Sequence, residues 1–561
     1  MKYFIRLPLL LLLLLVGTQL AAQDVEGILK EKQKLTVTGG LGANLATYFI
    51  SGDRPARASS LAYVLSGNLN FSYGELSVPI NATYRDQQGS ISNPFQYYGL
   101  SPRYKWITGH FGWRSLPLSR YSFSGQTYLG YGLEINPGIL RAAGFRGKLR
   151  SPLVQRDTLI LGAELLETFE RKAWGGRLGI GKEQNHFDLI FLKVTDDPTT
   201  ANPEGTPAEV FEPAENVVLG AKFQFQPLEF LNFRGQSTLS ALTNDLERDT
   251  LDTDVDFVDA ASNFITVNET TRAHFAHDYG FDLRWSAFRI GADYLRVDPF
   301  YKSLGVPYLL NDIERTTLRM GVSLFKRHFN VDGRIGRERN NLNELLNLTS
   351  RRLVGSVNLQ VRTNGPFRLS ARYYNYQNEL QDGLLVLEDT LRRGQQTASY
   401  SLSPALNYRN EAGRSQLRLT TSYRQLSVQR PGGARLPIDL LVAKLSFSRQ
   451  WTASNTKLSA SLTTQQQDSP TGERGNYGFG LQGGKSWQER KWQASLGLRY
   501  FLRQADGTAD GGVIRLNANL NHRITRKSQL GLRATWLDSS SELAGRDFSE
   551  IRINTHLRTN F

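Results

Sequence analysis

Ten basic side chains near the C-terminal end of the sequence fall on the polar parity of alternating segments. They are Arg418, Arg424, Lys444, Arg499, Arg503, Arg515, Arg523, Arg533, Arg552 and Arg558. In KWQASLGLRYFLRQ, Arg499 and Arg503 share a side with Gln493 and Ser495, while Trp492, Ala494, Leu496, Leu498, Tyr500 and Leu502 take the other. Side chains of an extended strand alternate between two faces, so such spacing builds cationic rows. Cationic rows lining water-filled space attract anions and raise their local concentration. The bland alternative is structural: arginines that pair with facing carboxylates and hold a wall. The quoted strands carry few acids, which favours an electropositive lining.

Other chemistry is sparse. Cysteine is absent, which excludes disulfides, thiolate chemistry and a lipid-anchoring cysteine. No G-x-S-x-G occurs. Of the seven histidines, His274 and His277 in HFAH would point to opposite faces of a strand, and a third ligand is missing, so no metal site and no cofactor is expected. Asp252, Asp254 and Asp256 imitate the start of a calcium loop, but Phe257 replaces the required Gly and Asn263 the closing Glu. This segment reads as a solvated loop. A Ser–His pair could still assemble across strands, which keeps a barrel hydrolase as a minor alternative to a non-enzymatic chain.

The elements that must carry these side chains are strands. From about residue 34 to the end, segments of about ten residues alternate in polarity between turn signals. Connections alternate too. Short ones such as GKEQNH, WSAFR, FKRHF, RTNGPF and ITRKS are separated by longer polar ones, including 242–275, 299–314, 427–438 and 504–512. Trp285, Trp487, Trp492 and Trp536 stand near strand ends, as interfacial girdles do. About 25 strand candidates can be counted, and a single-chain barrel takes an even number, so about 24 or 26 are expected. The uncertainty is upstream. Either Lys34–Ile50 holds two strands, or part of Tyr97–Gln126 stands outside the wall. Ser115–Gln126 could fold inward, with Trp113, Arg114 and Arg120 as candidate constriction residues.

The chain has 561 residues, 67 of them basic and 52 acidic, for a net charge of +15. That balance raises nucleic acid as a partner, yet no basic run or recognition motif supports one. The start, MKYFIRLPLLLLLLLVGTQLAAQD, has a basic tip, a short apolar run and small residues at Ala21 and Ala22. It reads as a cleaved signal peptide over 1–22, followed by a short periplasmic stretch over 23–33. The run is too short for a spanning helix, which needs about 20 apolar residues.

The leader, the alternation and the terminal Phe561, with Leu557, Thr555 and Ile553 on its side of the last strand, resemble bacterial outer-membrane β-barrel proteins. The stretch SPRYKWITGHFGWRSLPLSRYSFSGQTYLGYGLEINPG and the AQ leader junction look like large barrels of Bacteroidota. The resemblance implies a monomeric all-β fold: one large antiparallel transmembrane barrel over 34–561, with short periplasmic turns and long extracellular loops. It also implies contact with outer-membrane lipid and lipopolysaccharide, and an insertion signal read by the barrel-assembly machinery. The function expected is a porin-like channel for small, anionic solutes in a Gram-negative outer membrane. The alternative from another class is a scaffold or secretion component whose loops bind partner proteins.

Overall fold

The structure, a computed structural model, describes residues 34–85, 97–152, 169–200, 212–251, 262–382, 394–429, 435–542 and 547–561. The expected leader and the 23–33 stretch lie outside the described residues. Twenty-seven described strands form one sheet. Tyr97–Leu100 and Arg103–Tyr104 both pair with Leu76–Arg85 on one side and Ile107–Arg114 on the other. They are halves of one stave, interrupted at Ser101–Pro102, where Pro102 has no N–H for the ladder. Counting them once gives 26 staves, the even number a closed barrel of this kind takes.

Closure is made by the two ends of the chain. Thr36–Gly52 lies antiparallel to Phe548–Asn560, from Gly40 opposite Asn560 to Gly52 opposite Phe548. The seam ends where Phe561 N donates to Gly39 O at 3.1 Å and Gly39 N to Phe561 O at 3.2 Å. With every ladder edge paired, no backbone row is left for hydrocarbon to desolvate. The upstream ambiguity resolves the second way. Thr36–Gly52 is a single strand, and the segment that leaves the wall is Ser115–Gln126.

The rim that carries Phe561 also carries the tight turns, among them Tyr73–Leu76, Lys182–Asn185, Leu324–Phe329 and Trp487–Trp492. Most long connections stand on the opposite rim. One expectation fails there. The supposed loop at 504–512 is strand, because Trp492–Ala505 and Thr508–Arg523 are joined directly by Asp506–Gly507. Both residues take positive φ, 48° and 78°, as a tight Asp-Gly hairpin turn requires, so turn chemistry outweighed the polar composition of the segment. The loop at 427–438 is likewise shortened by strands that reach Gln429 and begin again at Arg435.

The two faces of the wall have opposite character. Leu189, Leu219, Phe275, Phe447, Leu462, Phe479 and Leu496 are exposed on the outside. Near the tight-turn rim this outer face becomes aromatic: Phe230 stacks on Trp285, and Trp487 on Trp492, which stacks in turn on His522. Strands about 4.8 Å apart, tilted about 40°, close 26 staves into a cylinder roughly 50 Å across if round. Wall side chains alone cannot fill such a width.

Candidate functional site

The inner face can be followed stave by stave through the register. Arg499 lies opposite Arg515, Asn519 opposite Arg533, Thr535 opposite Arg552 and Gln529 opposite Arg558. Arg424, Arg418 and Lys444 fall on the same face through Arg424–Leu440, Arg418–Ser446 and Thr420–Lys444. Arg503 joins it opposite Asn476, and Arg523 opposite Gln529. The register therefore gathers all ten basic residues into one continuous arc over Gly413–Asn560. Arg409, Arg414, Lys457 and Arg474 extend it. Sequence reading passed over these four, although each sits on the polar parity of its own strand.

Carboxylates divide the wall into two halves. Over Glu134–Arg352 most inward cations are paired; Lys222, Arg284 and Arg334 are exceptions with no ion-pair partner among the described residues. Arg141 donates to Asp188 at 2.8 Å and Arg171 to Asp196 at 2.7 Å. Arg234 reaches Asp282 at 2.6 Å, Arg319 holds both Asp282 and Asp293, and Arg315 and Arg352 share Glu338. These pairs build the braced, structural lining that the bland reading foresaw. Among the described residues over Gly413–Asn560, the only carboxylate on a regular inward position is Glu550, bound by Arg57 and Arg552. Asp510 stands beyond a bulge at the strand tip and accepts from Ser541. Among the described residues, the side chains of Arg418, Arg424, Arg499, Arg515 and Lys444 have no hydrogen-bond or ion-pair partner. Arg499 and Arg515 are direct cross-strand neighbours of like charge, an arrangement that costs stability.

A second feature narrows the paired side. Ser115–Gln126 folds over the inner wall, and Leu116, Leu118, Tyr121 and Phe123 are all nearly fully buried. Phe123 packs 4.5 Å from the Phe145 ring, over a floor of Tyr128, Leu192, Val194 and Val218. The turn is tied locally, with the Ser119 hydroxyl accepting from the backbone of Tyr121 and Ser122. A neighbouring loop over 298–305 locks it. Tyr301 donates to Tyr121 O at 2.9 Å, Ser303 to Ser122 O at 2.8 Å, and Ser124 N to Gly305 O at 3.2 Å. Gly305 must be glycine, since a β-carbon there would stand 2.3 Å from Ser122 O and 2.6 Å from Leu192. Burial pushes the Tyr121 and Tyr301 phenols well above the ordinary tyrosine range, so both stay protonated donors.

Of the three candidate constriction residues, Arg120 reaches Asp278 at 3.3 Å from the inward segment and Arg114 lies on the inner face. Trp113 is corrected: it pairs with Leu129 on the outer face, because its parity is opposite to that of Arg114. Ile553, Thr555 and Leu557 line the outer face of the seam, opposite Thr47, Leu45 and Ala43.

His274 and His277 fall on opposite faces, as strand parity demands. Among the described residues no cluster of three or more His, Asp or Glu is placed to hold a metal ion. Asp252, Asp254 and Asp256 lie outside the described residues. One arrangement was not visible in the sequence. Ser101 Oγ lies 3.0 Å from His110 Nδ1, and His110 Nε2 lies 3.0 Å from Glu134 Oε1. The connectivity is that of hydroxyl, base and orienting acid.

No protein-family model and no curated protein matches the sequence. Among solved structures, the P pilus usher (PapC) translocation pore matches 94% of this chain and 99% of its own, with 10% identity and a TM-score of 0.35. An anion-selective porin from Comamonas acidovorans covers 51% of this chain and 93% of its own, at 11% identity and a TM-score of 0.24. OpdK of Pseudomonas aeruginosa with vanillate covers 62% and 94%, at 10% identity and a TM-score of 0.31. These are likenesses of chain path, and they carry no function across to this chain.

Proposed function

We propose that the protein is an outer-membrane channel that passes small solutes passively and favours anions. The observation that carries this reading is the division of the inner wall: cations mostly paired with carboxylates on one half, cations left almost wholly uncompensated on the other. Side chains placed only to brace a wall would not be left unpaired and facing one another, whereas a row that works on passing anions must be free to meet them. An outer face of exposed Leu and Phe with an aromatic edge supports a place in lipid. The inward segment sets the width of the passage. Reversal potentials in a potassium chloride gradient across a planar bilayer test the reading, and anion preference at low salt is the expected result. A barrel that is electrically silent and copurifies with partner proteins would establish the scaffold alternative instead.

A second reading rests on Ser101, His110 and Glu134. In a hydrolase, Ser101 would attack a carbonyl while His110 takes its proton. In the channel reading the three side chains brace the interrupted stave to its neighbours, and Arg177 assists by holding Glu134 at 3.4 Å. The bracing role predicts that a fluorophosphonate probe leaves the folded barrel unlabelled. Stoichiometric labelling that disappears in Ser101→Ala would instead make the barrel a serine hydrolase.

A further inference from the structure

We infer that the outer end of the cationic arc contains a discrete binding site for a small solute bearing at least two phosphate or sulfate groups. This rests on the channel reading and adds a recognition step to it. The site is a recess of about 560 Å³ lined by Arg54, Arg57, Arg503, Arg515 and Arg552, with Glu550 as the single acid. Five guanidinium groups against one carboxylate leave four positive charges uncompensated. The volume lies within the range of small-molecule pockets, about 300–1,000 Å³.

The recess is built, not merely charged. Its roof comes from the loop after Thr36–Gly52, whose Arg57 donates to Glu550 at 2.9 Å, and Tyr48 donates to the same oxygen at 3.1 Å. Arg54 lies over the Phe548 ring at 4.4 Å, and Arg552 over Tyr48 at 5.0 Å. Glu550 therefore engages Arg57 and Arg552, while stacking fixes the plane of Arg54. Arg503 donates to Ser539 at 3.2 Å and to the Ser540 carbonyl, and keeps a buried Nε with no acceptor. Arg515 has no partner among the described residues, and Arg499 beside it adds a further positive charge. Orphaned guanidinium donors in a polar recess match anions with several oxygens, which accept paired N–H bonds from the planar fork. A monovalent anion would leave most of these charges unmatched. Two linked anionic groups can answer Arg503 and Arg515 together.

The test uses inorganic pyrophosphate as the probe and the purified full-length barrel in detergent, by calorimetry at low salt. One saturable equivalent is expected, weakened at least about tenfold in R503A/R515A, since the double variant removes charge-assisted hydrogen bonds to the anion. R418A/R424A removes the same charge from a distant part of the arc and keeps the affinity. Heat-modifiable migration confirms that each variant is a folded barrel. Absence of saturable heat, or equal losses in the two double variants, overturns the site and leaves only a diffuse field. Calorimetry needs no open passage, so binding without conductance sinks the channel reading alone, and conductance without binding sinks this site alone.

Discussion

Replacing Ser115–Thr127 by Asn-Gly will raise the single-channel conductance of the reconstituted barrel by about twofold or more, as expected when a loop that occupies a wide lumen is removed. The wall permits the excision. Arg114 and Tyr128 are cross-strand partners, so a two-residue hairpin turn spans the gap without disturbing register. The cost falls on the inner lining. Leu116, Leu118, Tyr121 and Phe123 each give up burial worth about 1.5–3 kcal/mol, while every ladder bond of the closed sheet stays in place. A milder variant separates opening from loss of mass. Gly305→Val forces a side chain against Ser122 O and Leu192, which unseats the segment but leaves it attached. It should give a noisy channel that flickers between the native and the enlarged conductance. If both variants conduct as the native barrel does, the segment lies clear of the ion path and the passage is narrowed elsewhere.

Ser115–Gln126 also shows how far the sequence could be read. Strand parity is a local property, and it placed the arginines on one face because period-two alternation survives whatever the neighbours are. The same rule separated His274 from His277. Inward folding was legible only as an oddity: a stretch rich in Gly, Pro and aromatics that spoiled an otherwise even count. What fixes it are partners far along the chain, Tyr301, Ser303 and Gly305, whose role no local pattern announces. Trp113 was misplaced because it was read as part of the inward segment, when the strand runs on through Arg114 and parity turns the indole outward. Ion pairing was illegible for a related reason. Whether an arginine meets a carboxylate depends on the register of the adjacent stave. Arg319 faces Gly291 and finds Asp293 two residues along the adjacent stave, whereas Arg499 finds only Arg515. Ser101, His110 and Glu134 come together because a broken stave brings a loop-like serine beside two intact strands.

Changing Arg499, Arg515 and Arg533 together to Gln should lower the anion-to-cation permeability ratio at least about threefold in dilute salt, because a wall potential near one kT per unit charge already separates the two signs about sevenfold. The three sit on consecutive strands. Arg499 faces Arg515, and Arg533 is held at 2.8 Å by Asn519, so they form one patch and not three scattered charges. Glutamine keeps most of the side-chain length and its hydrogen bonding, and the native row has no carboxylate to orphan there. The substitution relieves a like-charge contact, so folding should not suffer. The matching control is the paired half. Changing Arg289 to Gln and Asp332 to Asn together removes a complete ion pair and no net charge, and selectivity should stay where it was. Salt gives an independent check. The screening length falls from about 10 Å at 0.1 M to about 3 Å at 1 M, so the native preference must fade across that range while the variant stays flat. A native preference that survives molar salt would point to contact at a narrow place, and the inward segment, not the arc, would then be the filter. A triple variant as selective as the native protein would remove this patch from the account and leave selectivity to the remaining inward cations, Arg418, Arg424 and Lys444 among them.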